Sequence, residues 1–280
     1  MTLNIIFLIF LSALVGFLGS LTGLGGASIL VPILVFFGIP IKEAIAAGMI
    51  AIIGSSSGSA LSYVRNQLAN VRIAMFLEIF TVIGGIAGAS LTVIINPIYL
   101  YFFFAAFLST SFIKPKLHAC PDYNITTKQD SFSKWLGCEG TYYDKSLNQN
   151  IYYKARNTLF GGLGMFIAGL AAGMLGIGAG AFKTTVHENI LKMPPKVSSA
   201  TSNFIIGMTA LGGASVYIFS GLLNLSLMAP LAIGTTIGAV VGGRILNRLK
   251  DKYLRILFMI IVSVMIIQMI YKGIMSLWNL

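Results

Sequence analysis

Ten apolar runs, most of them about twenty residues long, fill nearly all of this 280-residue chain and are parted by short polar links. Wound as a helix, a run of that length matches the hydrocarbon thickness of a bilayer and satisfies its own backbone N–H and C=O groups there. The runs are continuous rather than alternating, which excludes the lipid-facing strands of a membrane β-barrel. Charged residues are 10% of the chain, against roughly 25% in soluble domains, and this excludes a soluble enzyme. The expected fold class is an all-α polytopic membrane protein with the lipid bilayer as its surroundings.

The formal charge of +11 does not point to nucleic acid, because Lys and Arg sit in the links and not on one soluble face. Neither a cofactor nor a metal site is expected. The two cysteines, Cys120 and Cys138, both fall in the single long polar stretch, away from any membrane-buried site. No Lys or Arg precedes Lys42, so the first run reads as a retained helix and not a cleaved signal.

The runs cover about 3–20, 27–39, 44–64, 73–95 and 98–113, then, after the polar stretch, about 158–175, 180–191, 197–220, 224–246 and 254–277. Five and five suggest a duplication. Gly23, Leu24 and Gly25 match Gly176, Ile177 and Gly178 at an offset of 153. After a one-residue slip, an offset of 154 pairs Pro40 with Pro194, Lys42 with Lys196, Tyr63 with Tyr217, Asn70 with Asn224, Gly84 with Gly238 and Gly88 with Gly242. The expected organisation is a first membrane repeat (1–113), a cytoplasmic central segment (114–156) and a second membrane repeat (157–280). Trp135, Tyr142, Tyr143, Tyr152 and Tyr153 give the central segment too many aromatics for a bare linker, and it reads as a small folded cap.

The second run of each half is too short to span and follows a glycine cluster, which reads as a half-helix entered through a break in the membrane. Such segments at matching places in two halves point to a transporter binding site. If runs one and two form a re-entrant hairpin, each half crosses the membrane three times and the halves are inverted. Arg65, Arg72, the central segment, Lys192, Lys196 and the basic run from Arg244 to Arg255 then all fall on the cytoplasmic side, leaving Lys42 and Lys272 as exceptions. Both termini are expected outside.

The glycine clusters would aim backbone N–H groups of a half-helix N-terminus at an anion. The candidates are Gly23, Gly25, Gly26 and Ser28 in the first half, and Gly176, Gly178, Gly180, Lys183 and Thr184 in the second. Hydroxyls and an amide after each half-helix add Ser55 and Ser56, then Thr201, Ser202 and Asn203, as neutral donors suited to an oxyanion that must leave again. Lys183 could neutralise the anion, or its stem could snorkel to the interface. Glu78 and His187 are candidates for proton coupling, with an interfacial Glu78–Arg72 pair as the other reading. Glycines in Gly84-x-x-x-Gly88 and Gly234-x-x-x-Gly238-x-x-x-Gly242 read as helix-packing surfaces. Gly54-Ser55-Ser56-Ser57-Gly58 spells a serine nucleophile elbow but lacks the strand-to-helix turn and His base that such chemistry needs. No enzyme activity is expected.

The stretches GLGGASILVP (Gly23 to Pro32), GMLGIGAG (Gly173 to Gly180) and VSSATSNFIIG (Val197 to Gly207) resemble the TauE/SafE family of membrane proteins, and the likeness covers both halves. This chain departs from the family pattern at Ala27, at Ala47-Gly48-Met49, at Ala179 and at Thr184-Thr185. The resemblance implies secondary transport of a small sulfur-containing anion such as sulfite, thiosulfate or a sulfonate. An anion channel using the same site is the alternative.

Overall fold

The computed structural model describes residues 4–22, 26–65, 68–109, 129–144, 149–222, 224–245 and 251–278. Each apolar run is a helix. The first five are α1 (Ile5–Thr22), α2 (Ala27–Phe36), α3 (Ile41–Arg65), α4 (Val71–Ile94) and α5 (Pro97–Ser109). The polar stretch holds α6 (Ser131–Trp135) and strands β1 (Glu139–Asp144) and β2 (Gln149–Lys154). Five helices follow: α7 (Thr158–Leu175), α8 (Gly180–Asn189), α9 (Pro195–Phe219), α10 (Leu225–Ile245) and α11 (Asp251–Trp278).

Among the described residues, four helices are long and apolar enough to cross a membrane by length and composition: Val71–Ile94, Thr158–Leu175, Pro195–Phe219 and Leu225–Gly242. Large apolar residues face outward at helical spacing, Met75, Ile79, Ile83 and Ile86 on α4 and Phe160, Leu163 and Ile167 on α7. In water such stripes would be a liability, whereas against lipid tails they are the solvated face. The chain is a multi-pass helical membrane protein. Helices α2 and α8 have ten residues each, about 15 Å at 1.5 Å per residue, half of a ~30 Å hydrocarbon core.

Strands β1 and β2 depart from a wholly helical chain. They pair antiparallel with Tyr142 opposite Ile151 and Gly140 opposite Tyr153. Aromatic and β-branched residues favour a pleated, half-buried surface, and here Tyr142, Ile151 and Tyr153 turn inward while Tyr143 and Tyr152 stay exposed.

Helix α1 packs along α10 and α7 along α4; α10 also lies on α3 and α4 on α9; α3 crosses α9, and α5 meets α11. Glycine makes the two tightest contacts. A Cβ on Gly88 would strike Leu170 O, and one on Gly173 would strike Gly85 O. On the other side a Cβ on Gly238 would strike Ala13 O, and one on Gly16 would strike Thr235 O. This is the close backbone approach that small-residue faces allow in lipid, where dispersion and hydrogen bonds replace the hydrophobic effect. Hydroxyls add to it: Tyr217 Oη donates to Gly173 O at 2.7 Å, and Thr92 Oγ1 to Met174 O at 2.9 Å. Lys42 donates to Val93 O at 2.7 Å, which sets its charge against the negative end of the α4 dipole.

Candidate functional site

Helix α7 ends at Gly176, a left-handed residue (φ 65°) whose N–H closes on Ala172 O at 2.9 Å. Gly178 (φ 72°) and Ala179 (φ 50°) are also left-handed, and α8 begins at Gly180. A left-handed alanine costs about 1–2 kcal/mol, so packing must hold this turn in place. Residues 172–180 are all buried. Gly176 backs onto the Ile45 carbonyl, and a Cβ on Gly178 would lie 3.0 Å from Ile206 Cγ2 and 3.3 Å from Ile52 Cδ1.

Gly48, about a third of the way along α3, touches both α2 and the turn into α8. A Cβ there would lie 2.7 Å from both Gly176 O and Val31 Cγ2, and 3.5 Å from Ala27 Cβ. The first turn of α2 and the turn into α8 therefore converge on one point in the interior. Neither N-cap residue, Gly26 or Ala179, offers a side-chain hydrogen bond to its helix. Helix α4 contrasts, since Asn70 Oδ1 accepts from Ile73 N at 3.1 Å. An N-terminus that lacks a side-chain cap keeps its dipole and N–H groups for another acceptor.

The remaining sequence candidates are placed as follows. Gly23 and Gly25 lie outside the described residues. Ser28 is buried in the first turn of α2, Thr184 is half-buried on α8, and Ser55 and Ser56 are buried in α3. Ser55 donates to Ile52 O at 3.2 Å and Ser56 to Ile53 O at 3.3 Å, and Ser56 Oγ lies against Gly207 of α9. Ser202 Oγ donates to Gly180 O at 3.3 Å, tying α9 to the head of α8. Thr201 Oγ1 accepts from Asn70 N at 3.1 Å and fastens α9 to the head of α4. Asn203 donates along its own helix to Ser199 O at 3.1 Å.

Lys183 stands one turn into α8 and is fully buried, so its ammonium does not snorkel to an interface. It donates to Thr209 Oγ1 on α9 at 2.9 Å. Glu78 of α4 lies within the field of Lys183, and so does His187, one turn further along α8. His187 is fully buried, with Nδ1 3.2 Å from Ser198 O. Arg72 lies over Gly137 instead of reaching Glu78. Thr209 escaped the sequence reading, which weighed hydroxyls by their density. The available signal was spacing: Ser198, Ser202 and Thr209 lie four and seven apart, on one face of α9, all buried, and each bonds to α8 or the loop after it.

The central segment closes over the ends of these helices. Asn70 Nδ2 donates to Tyr153 Oη at 2.9 Å and to Glu139 O at 3.3 Å, so one residue joins α4, α9 and the hairpin. Cys138, Tyr142, Ile151 and Tyr153 share an apolar core with Ile73 and Leu77 of α4 and with Val186, Leu191 and Met193 around the end of α8. Burial pushes the Cys138 thiol above its ordinary range, with a hydrogen bond to Thr158 opposing, which makes it an inert packing residue. Among the described residues no group of His, Cys, Asp and Glu could hold a metal ion; His118 and Cys120 lie outside them.

Residues 8–269 match the family described as Sulfite exporter TauE/SafE. The chain is 26% identical to "Probable membrane transporter protein YunE" of Bacillus subtilis, over 98% of this chain and 100% of that protein. It is 25% identical to "Probable membrane transporter protein YdhB" of the same organism, over 90% and 93% of the two chains. A probable membrane transporter protein of Methanocaldococcus jannaschii is 24% identical over 92% of each. No solved structure matches.

Proposed function

This chain belongs to the TauE/SafE family of membrane transporters, and on that premise we propose that it is a secondary transporter of a small sulfur-containing anion such as sulfite, thiosulfate or a sulfonate. The anion binds where the first turn of α2 and the turn into α8 converge on Gly48. The observation that carries the reading is this convergence of two N-termini without side-chain caps, with a fully buried ammonium, Lys183, one turn away. Helix N–H groups and dipoles favour an anion, and a lysine buried in lipid is costly unless it has a counter-charge to meet.

An inverted repeat supports alternating access. Exchanging the first five membrane helices for the last five carries the α1–α10 contact into α7–α4 and the α3–α10 contact into α9–α4, and maps α3–α9 and α5–α11 onto themselves. With the central segment cytoplasmic, Trp135, which is 79% exposed, is the residue to label. Trp135→Cys should react with an impermeant maleimide in inverted vesicles and not in intact cells, and the reverse result would overturn the orientation.

The function itself is tested in proteoliposomes. Unlabelled anion inside should accelerate entry of radiolabelled thiosulfate or sulfite from outside. Flux without such counterflow would replace the transporter with a channel using the same site, and absence of flux for all three anion types would remove the substrate class.

A further inference from the structure

Two buried proton-accepting atoms in the cluster around Lys183 have no partner. Glu78 Oε1 is buried without a hydrogen bond, and so is His187 Nε2. The tautomer of His187 follows from its contacts, because Ser198 O can only accept. Nδ1 must then carry the hydrogen, and in the neutral ring Nε2 is a bare lone pair. Lys183, with both acceptors in its field, is held on Thr209. An ammonium, a carboxyl group and an imidazole within electrostatic reach of one another, with two buried acceptor atoms unpaired, form a site with room for a proton.

We propose that Glu78 is the proton carrier of the transport cycle, and that the substrate anion and the Glu78 carboxylate compete for the charge of Lys183. This rests on the anion-transport reading above. In the empty site the Glu78 carboxylate offsets the Lys183 ammonium. When an anion reaches the head of α8 it takes over that role, and the carboxylate is left as an uncompensated charge in lipid. It then binds a proton from water and becomes neutral. Release of the anion returns Lys183 to Glu78, and the proton leaves. One proton moves with each anion in the same direction, so a monovalent anion crosses with no net charge.

The other titratable groups on the elements around α8 are few, and the hairpin over its end adds Cys138, Tyr142 and Tyr153, all buried. Helix α8 itself carries Glu188, α4 carries Arg72 at its head, and α9 carries Lys196 in its first turn and Tyr217 in its last. Helix α7 carries none, although Arg156 before it binds Leu191 O through its backbone. Glu78 is the one group of these that combines a buried unpartnered oxygen with the field of Lys183.

Proteoliposomes loaded with a pH dye give the test, using thiosulfate and methanesulfonate as probes because neither titrates near neutral pH. Downhill methanesulfonate entry should acidify the lumen with one proton per anion. An outside-acid gradient of one pH unit should drive about tenfold accumulation, since each unit is a factor of ten in proton activity. Glu78→Gln should lower the ratio to zero and abolish gradient-driven accumulation, Glu78→Asp should keep part of both, and Glu139→Gln in the hairpin should keep the wild-type ratio. Glu78→Gln combined with Lys183→Met removes both charges together and guards against misfolding of the single variant; it too should show no proton movement. Anion flux without proton movement in the wild type overturns the coupling and leaves the transport reading intact. Coupling that survives Glu78→Gln but is lost in His187→Gln assigns the proton elsewhere and overturns the proposal. Absence of flux for both probes and for sulfite sinks the transport reading and this proposal with it.

Discussion

Helices α2 and α8 are alike in length and position along their halves and unlike in what their side chains carry. Each has ten residues, each follows a glycine break, their first residues stand 153 positions apart, and neither N-cap bonds its helix through a side chain. Yet α2 reads ASILVPILVF and is packed with Ile29, Leu30, Val31 and Leu34, all buried, whereas α8 reads GAFKTTVHEN. At that same offset Lys183 stands opposite Leu30 and His187 opposite Leu34. At the 154 offset Thr209 corresponds to Ser55 and Glu78 to Ala232. On the proposed repeat, the matching positions fall where two helix termini meet, and the positions that differ put all the charge on one of them.

The most severe way to probe this difference is to move the charge across. Leu30→Lys would bury an ammonium in the apolar core, where Ala232 stands at the position corresponding to Glu78 and offers no carboxylate, at a cost of about 3–5 kcal/mol. Size-exclusion chromatography in detergent should show the folded peak largely lost; an intact peak would mean the two environments are chemically interchangeable after all. Backbone strain comes next. Gly178→Ala combines a left-handed residue with contacts at 3.0 and 3.3 Å, and it should cut flux about tenfold or more, equivalent to ~1.4 kcal/mol. Gly38→Ala has the same strain (φ 86°) but nothing within 4 Å. It should cost only about 1 kcal/mol of stability, with flux retained, and equal loss in both would dissolve the distinction.

How far the sequence foretold this is uneven. The helices, the break between α7 and α8 and the glycine faces follow from apolar run length and from Gly spacing, because lipid tolerates few alternatives. The hairpin was not read as strands, although Thr141-Tyr142-Tyr143 and Ile151-Tyr152-Tyr153 carry the aromatic pattern, because its polar setting masked the inward-facing half. That Lys183 acts on Glu78 at all was also illegible: the two lie on different helices far apart in the chain, and the nearer Arg72 offered a more obvious mate. Hydroxyl density did not point to Thr209, which stands apart from the Ser and Thr cluster and holds the lysine, while Thr201 accepts from the head of α4.

Lys183→Met sharpens the comparison from the other side. If the charge serves the substrate, the half-saturation concentration should rise about tenfold, ~1.4 kcal/mol, while stability without substrate stays equal or increases. Leu30→Met, a volume-conserving change, should alter neither, and an unchanged half-saturation concentration in Lys183→Met would remove it from the site. The smallest effect belongs to the helix heads. Asn70→Ala loses the α4 cap and the hairpin bond and should lower thermal stability by about 1 kcal/mol. Asn224→Ala at the head of α10 should cost less, since the hairpin packs at the Asn70 end, and a larger loss there would show that α10 depends on its asparagine as well.

The glycine seam between α1 and α10 also has a consequence in time. Ser12 donates to Pro230 O across 218 positions of chain. At about 5–20 residues per second, a ribosome needs roughly 10–40 s to make that stretch. Throughout that interval Gly16, Ser12 and their neighbours lie in the bilayer without the surface they were shaped for, open to lipid or to whatever attends insertion. The same delay is far shorter for α4 and α7, which are separated mainly by the central segment. Assembly of this protein is therefore expected to close from the middle outward, with α1 seated long after it has entered the membrane.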